Sequence, residues 1–269
     1  MPPGKPPTSP SETTAKRSFA SHRQKEDIFH NIVIYGAGGI GKTELAANIA
    51  AYGERPLFID VENSTKFLEV DKVQPTVQTW DELRAVLQNP SLTDGFSVVV
   101  IDSLTKAQEL AEQWVLANIK TKSGHFVKNI EDFGFGAGYS HVYETFLQLL
   151  GDLDAVNRRG KHVICTAHDC VANAPNPSGE DWIRYEPRLQ SPNGGKNSIR
   201  LRVKEWCDHL FFIGYDMIVD EDGKAEGGGS RTIYTSERPT HVAKSRSLSS
   251  PVPYDRGEAE IWKQLLNKE

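Results

Sequence analysis

NIVIYGAGGIGKT, from Asn31 to Thr43, is the stretch that decides the fold. An apolar run over 31–35 has the length of a strand, and ELAANIAAY over 44–52 has helical periodicity. Between them stand Gly36, Gly38, Gly39 and Gly41, followed by Lys42 and Thr43. This is the pattern GxxxxGK[ST] in the strand-to-helix setting that its mechanism demands. Average residue frequencies make the pattern a chance event in about one chain of this size per hundred. Glycines let backbone N–H groups curl around phosphate oxygens, and the helix start adds partial positive charge. Lys42 is expected to reach the β- and γ-phosphates, and the Thr43 hydroxyl to ligate Mg²⁺. Ile40 and Glu44 complete the expected phosphate-binding set, and the expected ligand is ATP with Mg²⁺.

Outward from this loop, apolar runs alternate with helix-length amphipathic stretches. Strands are expected over 56–61 (PLFIDV), 96–101 (FSVVVI) and 161–167 (KHVICTA), and helices over 80–87, 106–118 and 141–157. The pattern predicts an α/β fold with a mostly parallel twisted sheet flanked by helices. Beyond it, a helix is expected over 198–206. The segments near 209–214, 231–236 and 241–244 read as antiparallel strands. Residues 1–26, rich in Pro, Ser and basic side chains, read as a disordered tail. Residues 27–269 read as one domain with mobile loops at about 120–136, 173–197 and 220–230.

The 269-residue chain carries a formal net charge of -5, so contact with nucleic acid would have to come from a local basic patch. Three cysteines without framework spacing fit a reducing compartment. No run of about 18 apolar residues offers a membrane span. The expected location is the cytoplasm.

A magnesium site on phosphates calls for a carboxylate at a neighbouring strand end, and Asp102 closes FSVVVI. Hydrolysis calls for a base beside the γ-phosphate, and Glu62 follows the second strand, with Asp60 the weaker alternative. His168 ends the strand CTAHD, where a polar side chain could sense the γ-phosphate. Cys165, His168 and Cys170 lack the spacing of a zinc site. Arg184, Arg188, Lys196, Arg200, Arg202 and Lys204 run past Tyr185 and are opposed within 183–204 only by Glu186. Such a segment either tracks a single-stranded nucleic-acid backbone while bases stack, or is a solvated loop. Lys120, Lys122 and Lys128 offer a second possible contact.

Taken together, the strands and their end residues resemble the RecA-like ATPases over 29–253. GAGGIGKT is similar to their Walker A loop, FIDVEN to the segment carrying their catalytic glutamate, and VVVIDS to their Walker B strand. The resemblance implies Glu62 as general base. It places the His168 sensor where the family usually has glutamine, and it makes 173–197 a DNA-binding loop ending at Gly194-Gly195. VAKSR is similar to the element by which such proteins reach a neighbour's ATP, so the resemblance implies a homo-oligomer, ring or filament, with trans-acting Lys244 and Arg246. The compact core and EDFGFG before a long helix are most similar to minimal phage RecA-like recombination ATPases. Those proteins anneal single-stranded DNA together with a single-strand DNA-binding protein. A helicase-loader-like or KaiC-like regulatory ATPase acting on a protein partner is the alternative.

Overall fold

A computed structural model describes residues 28–192, 195–219, 225–257 and 260–266. The expected tail over 1–26, Gly194 and the tip at 220–224 lie outside the described residues.

The first strand, β1 (Asn31–Gly36), enters the glycine loop and α1 (Lys42–Asn48), which a 3-10 turn carries on to Tyr52. Next come β2 (Pro56–Asp60), the short β3 (Asp71–Lys72), α2 (Trp80–Leu87) and α3 (Pro90–Thr93). After them follow β4 (Val98–Asp102), α4 (Leu104–Asn118), α5 (Ala137–Arg158) and β5 (His162–Ala174). The chain then forms β6 (Trp182–Pro187), α6 (Ile199–Trp206), β7 (His209–Val219), β8 (Ala225–Tyr234), β9 (Val252–Pro253) and α7 (Glu260–Leu266).

Sheet order is β3-β2-β4-β5-β1-β7-β8-β9, with β6 paired to β5. Every pair from β3 to β7 is parallel, and β8 and β9 add antiparallel strands. Period-two alternation explains the near-continuous apolar runs: Val33, Tyr35, Val99 and Ile101 face one buried cluster, and Ile32, Ile34, Val98 and Val100 the other. The first cluster packs under α2, α4 and α5, the second under α1 and α7. Local chemistry sets two helix starts. Thr79 and Glu82 form a reciprocal capping box before α2, and the Ser103 hydroxyl accepts from Lys106 N (3.2 Å) to start α4.

Four expectations need correction. The strand at 209–214 pairs parallel with β1 and only its far side is antiparallel, because α6 carries the chain back before β7 enters the sheet. Segment 241–244 forms no strand; His241 and Lys244 make isolated bridges to Tyr185 and Leu210. Most of the stretch 173–185 is ordered as a hairpin, since β5 runs on to Ala174 and pairs with β6. Residues 225–230, expected in a loop, belong to β8. No helix among the described residues is long and apolar enough to cross a membrane.

Trp262 of α7 is fully buried, and its indole N–H donates to Leu45 O of α1 (2.8 Å). Trp262→Ala is expected to cost about 3–5 kcal/mol in urea unfolding, and a loss below about 1 kcal/mol would show that α7 is no part of the folded core.

Candidate active site

Parallel pairing gathers the site by bringing the C-terminal ends of four strands to one edge. Gly36 lies level with His168, and Asp60 with Asp102. A Cβ on Gly36 would fall 2.6 Å from Ile213 O, so β7 can approach only a glycine there. Gly41 has φ 111°, and a Cβ on it would meet the Tyr254 hydroxyl at 2.8 Å. Gly38 and Gly39 face open space, leaving the middle of the loop accessible. Ile40 instead anchors the loop in the core, 1% exposed. The Lys42 ammonium donates to Gly36 O and Ala37 O, both at 2.8 Å. Burial lowers its pKa, opposed by the charges of Asp102, Asp169 and Glu62.

Asp102 is 3% exposed and collects three hydroxyls. Thr43 and Ser64 each donate to Oδ2 at 2.7 Å, and Thr166 donates to Oδ1. Hydrogen bonds to an ionised carboxylate are the strong kind, and these join three separate elements. Thr43 and Asp102 thus present two hard oxygen atoms side by side, a donor set that suits Mg²⁺.

Glu62 and His168 meet across the cleft, with His168 Nε2 3.0 Å from Glu62 Oε2 and 3.2 Å from Oε1. The Ser103 hydroxyl also donates to Glu62. Burial pushes the Glu62 carboxyl up, but the hydrogen bonds from His168 and Ser103 and the charges of His168 and Lys42 outweigh it. The net shift is downward, which favours the ionised form at neutral pH. Asp60, the weaker alternative, is committed elsewhere. Its oxygens accept from the backbone N–H groups of Glu62, Ser64 and Thr65 and from the Thr65 hydroxyl, tying down the turn after β2.

A cleft of about 370 Å³ brings together Gly38, Gly39, Gly41, Lys42, Thr43, Glu62, Asp102 and His168. It also contains Ser64, Phe67, Leu68 and Arg256, which the sequence reading did not single out. Phe67 is 96% exposed on the cleft wall. A large apolar residue five positions after Glu62 was a legible signal for it; Arg256 had none, because its approach is purely tertiary. The Glu44 side chain lies 3.2 Å from Arg256 Nε.

The basic segment divides in two. Arg184 pairs with Glu186 and Glu237 (both 2.7 Å), Arg200 pairs with Glu186 (2.8 Å), and Lys204 pairs with Glu237 (2.9 Å). Their charge is largely met within the fold, so the expectation that Glu186 alone opposes this run is corrected by the approach of Glu237. Arg202 reaches Glu205 at 3.6 Å and stays about half exposed. Arg188 and Lys196 are exposed and make no ion pair among the described residues. Arg188 N donates to His168 O (2.8 Å), which ties the basic segment to the cleft.

Lys244 and Arg246 lie away from their own cleft. Lys244 pairs with Leu210, which is level with Val33, about 10 Å down the sheet from the level of Gly36. Its ammonium donates to Lys204 O (2.5 Å) and Glu205 O (3.3 Å) at the end of α6. Arg246 pairs with Asp208 (2.9 Å), and its side chain remains 69% exposed.

A strand, a glycine loop and a helix, with carboxylates on the adjoining strand ends, define a P-loop nucleoside triphosphatase. The profile of the family described as an AAA domain matches residues 29–247, so the chain belongs to that family and is a P-loop ATPase of AAA type. No curated protein matches the chain.

Glu186 is 8% exposed and holds two guanidinium groups. Glu186→Gln is expected to destabilise the fold by on the order of 3 kcal/mol in thermal or urea unfolding. Unchanged stability would mean that Arg184 and Arg200 are free surface cations.

Proposed function

We propose that this ATPase hydrolyses ATP at a site shared between subunits and uses the cycle to act on single-stranded DNA, in the manner of the RecA-like annealing and recombination ATPases. The observation that carries this reading is the continuous link from Glu62 to His168 and on to Arg188 N, which ties a carboxylate beside the phosphate loop to exposed cations.

The residues fit the reaction. Loop N–H groups and Lys42 hold the phosphates, and exposed Phe67 supplies a stacking platform for the base. Thr43 and Asp102 would hold Mg²⁺, which would supply positive charge to offset that of the phosphates. Glu62 takes a proton from water as the water oxygen bonds to the γ-phosphorus and the bond from that phosphorus to the bridging oxygen breaks, releasing ADP and phosphate. His168 and Ser103 orient Glu62. Arg246 from a second copy of the chain, together with that copy's Lys244 once it leaves the carbonyls at the end of α6, stabilises charge developing on the γ-phosphoryl oxygens. Arg188, Lys196 and Arg202 meet the DNA backbone while Tyr185, 43% exposed, stacks on a base. Arg184 and Arg200 hold the hairpin in shape through Glu186. Cooperation with a single-strand DNA-binding protein belongs to the same reading.

A regulatory ATPase acting on a protein partner is the second reading. It is favoured by the apolar face of the β5–β6 hairpin, where Val171 and Ile183 are 62% and 72% exposed.

Glu62→Gln is expected to lower kcat by about 10²-fold or more while ATP still binds; turnover near the wild-type rate would remove Glu62 as the base. The Arg188→Ala/Lys196→Ala double variant is expected to weaken salt-sensitive binding of an oligonucleotide, and wild-type protein that binds no oligonucleotide would refute the DNA assignment. Arg246→Ala is expected to leave ATP affinity nearly intact and depress turnover by about 10³-fold, whereas full activity would exclude the shared site.

A further inference from the structure

Residues 254–256, just after β9, lie across the phosphate loop and helix α1. The Tyr254 hydroxyl donates to Gly41 O (2.7 Å), and Asn48 Nδ2 donates to Arg256 O (2.8 Å). With Trp262 donating to Leu45 O, these contacts fix the backbone of Arg256 beside the cleft from the same subunit. Its guanidinium donates to Gly39 O and lies 3.2 Å from Glu44 Oε2, and the side chain remains 47% exposed along the cleft wall.

Charge within the cleft makes this position consequential. Its lining carries the carboxylates of Glu44, Glu62 and Asp102 against the cations of Lys42 and Arg256. Without Arg256, three carboxylates would face one buried ammonium at a site that has to admit a polyanion. A guanidinium has five N–H donors, and a neutral carbonyl with one carboxylate leaves some of them over. Phosphate oxygens take such donors in parallel pairs and are stronger acceptors than a peptide carbonyl. Lys42 approaches the loop at Gly36 and Ala37, whereas Arg256 approaches at Gly39, so the two cations address different parts of a bound phosphate chain.

We propose that Arg256 is a phosphate ligand for the bound nucleotide, supplied in cis by the C-terminal segment, and that it transfers from Gly39 O and Glu44 to a phosphate oxygen when nucleotide binds. Arg256 lies outside the matched residues 29–247, so the ligand comes from beyond the matched family domain. The inference rests on the ATPase reading and assigns one further contact to that site.

The test is calorimetric titration of the full chain with ATP, and separately ADP, in Mg²⁺ buffer. Arg256→Gln keeps a hydrogen-bond donor for Gly39 O but carries no charge. It is expected to raise the Kd for ATP by about 10- to 100-fold, with the melting temperature of the nucleotide-free protein close to wild type. Arg256→Lys, which keeps the charge, is expected to recover part of the affinity. If Arg256→Gln binds ATP as tightly as wild type, Arg256 only clamps the loop and the proposal fails. It also fails if Arg256→Lys binds no better than Arg256→Gln. Wild-type protein that binds neither nucleotide would instead overturn the ATPase reading itself.

Discussion

One carboxylate organises this site. Asp102, almost completely buried at the end of the interior strand β4, accepts hydroxyl hydrogens from Thr43 on α1, Ser64 in the turn after β2, and Thr166 on β5. A buried ionised group without partners is costly, and these three donors satisfy it while locking three elements in register. The phosphate loop, the turn that carries Glu62 and Phe67, and the strand that leads to His168 are all positioned through that one side chain. Asp60 performs a similar service one strand over, fixing the turn whose next residues line the cleft.

Much of this was legible because parallel sheets obey a simple rule. In successive parallel strands every C-terminal end falls on one edge, so Glu62 and Asp102 could be assigned to a common cleft from their positions at strand ends; His168 joins them although β5 runs on to Ala174, because its parallel pairing with β1 stops at the level of Gly36. The glycine loop was legible for a different reason: close approach of Ile213 to Gly36 and a positive φ at Gly41 require glycine there, and composition records the requirement. The run PLFIDV gave β2 because both faces of that strand are buried.

What escaped the sequence depends on contacts distant along the chain. The basic run looked nearly unopposed because Glu237, which pairs with Arg184 and Lys204, lies more than 30 residues beyond it. Arg256 reaches Gly39 across 217 positions, a separation for which no periodicity speaks. Segment 241–244 buries two adjacent apolar residues, Val242 and Ala243, but serves as an irregular strap, its Lys244 closing the end of α6. The parallel pairing of β7 with β1 could not be read from β7 itself, because a strand buried between neighbours looks alike in either direction.

These contacts unite the cleft with the basic segment. Glu62 meets His168, and the His168 carbonyl accepts from the Arg188 backbone N–H, the contacts through which the proposed coupling of hydrolysis to DNA binding would run. The most direct measurement of that coupling is the steady-state rate of ATP hydrolysis by the full chain as single-stranded oligonucleotide is added at fixed low salt. The rate is expected to rise with oligonucleotide to a plateau and to lose that stimulation as salt increases; a rate indifferent to oligonucleotide at every salt concentration would contradict the account.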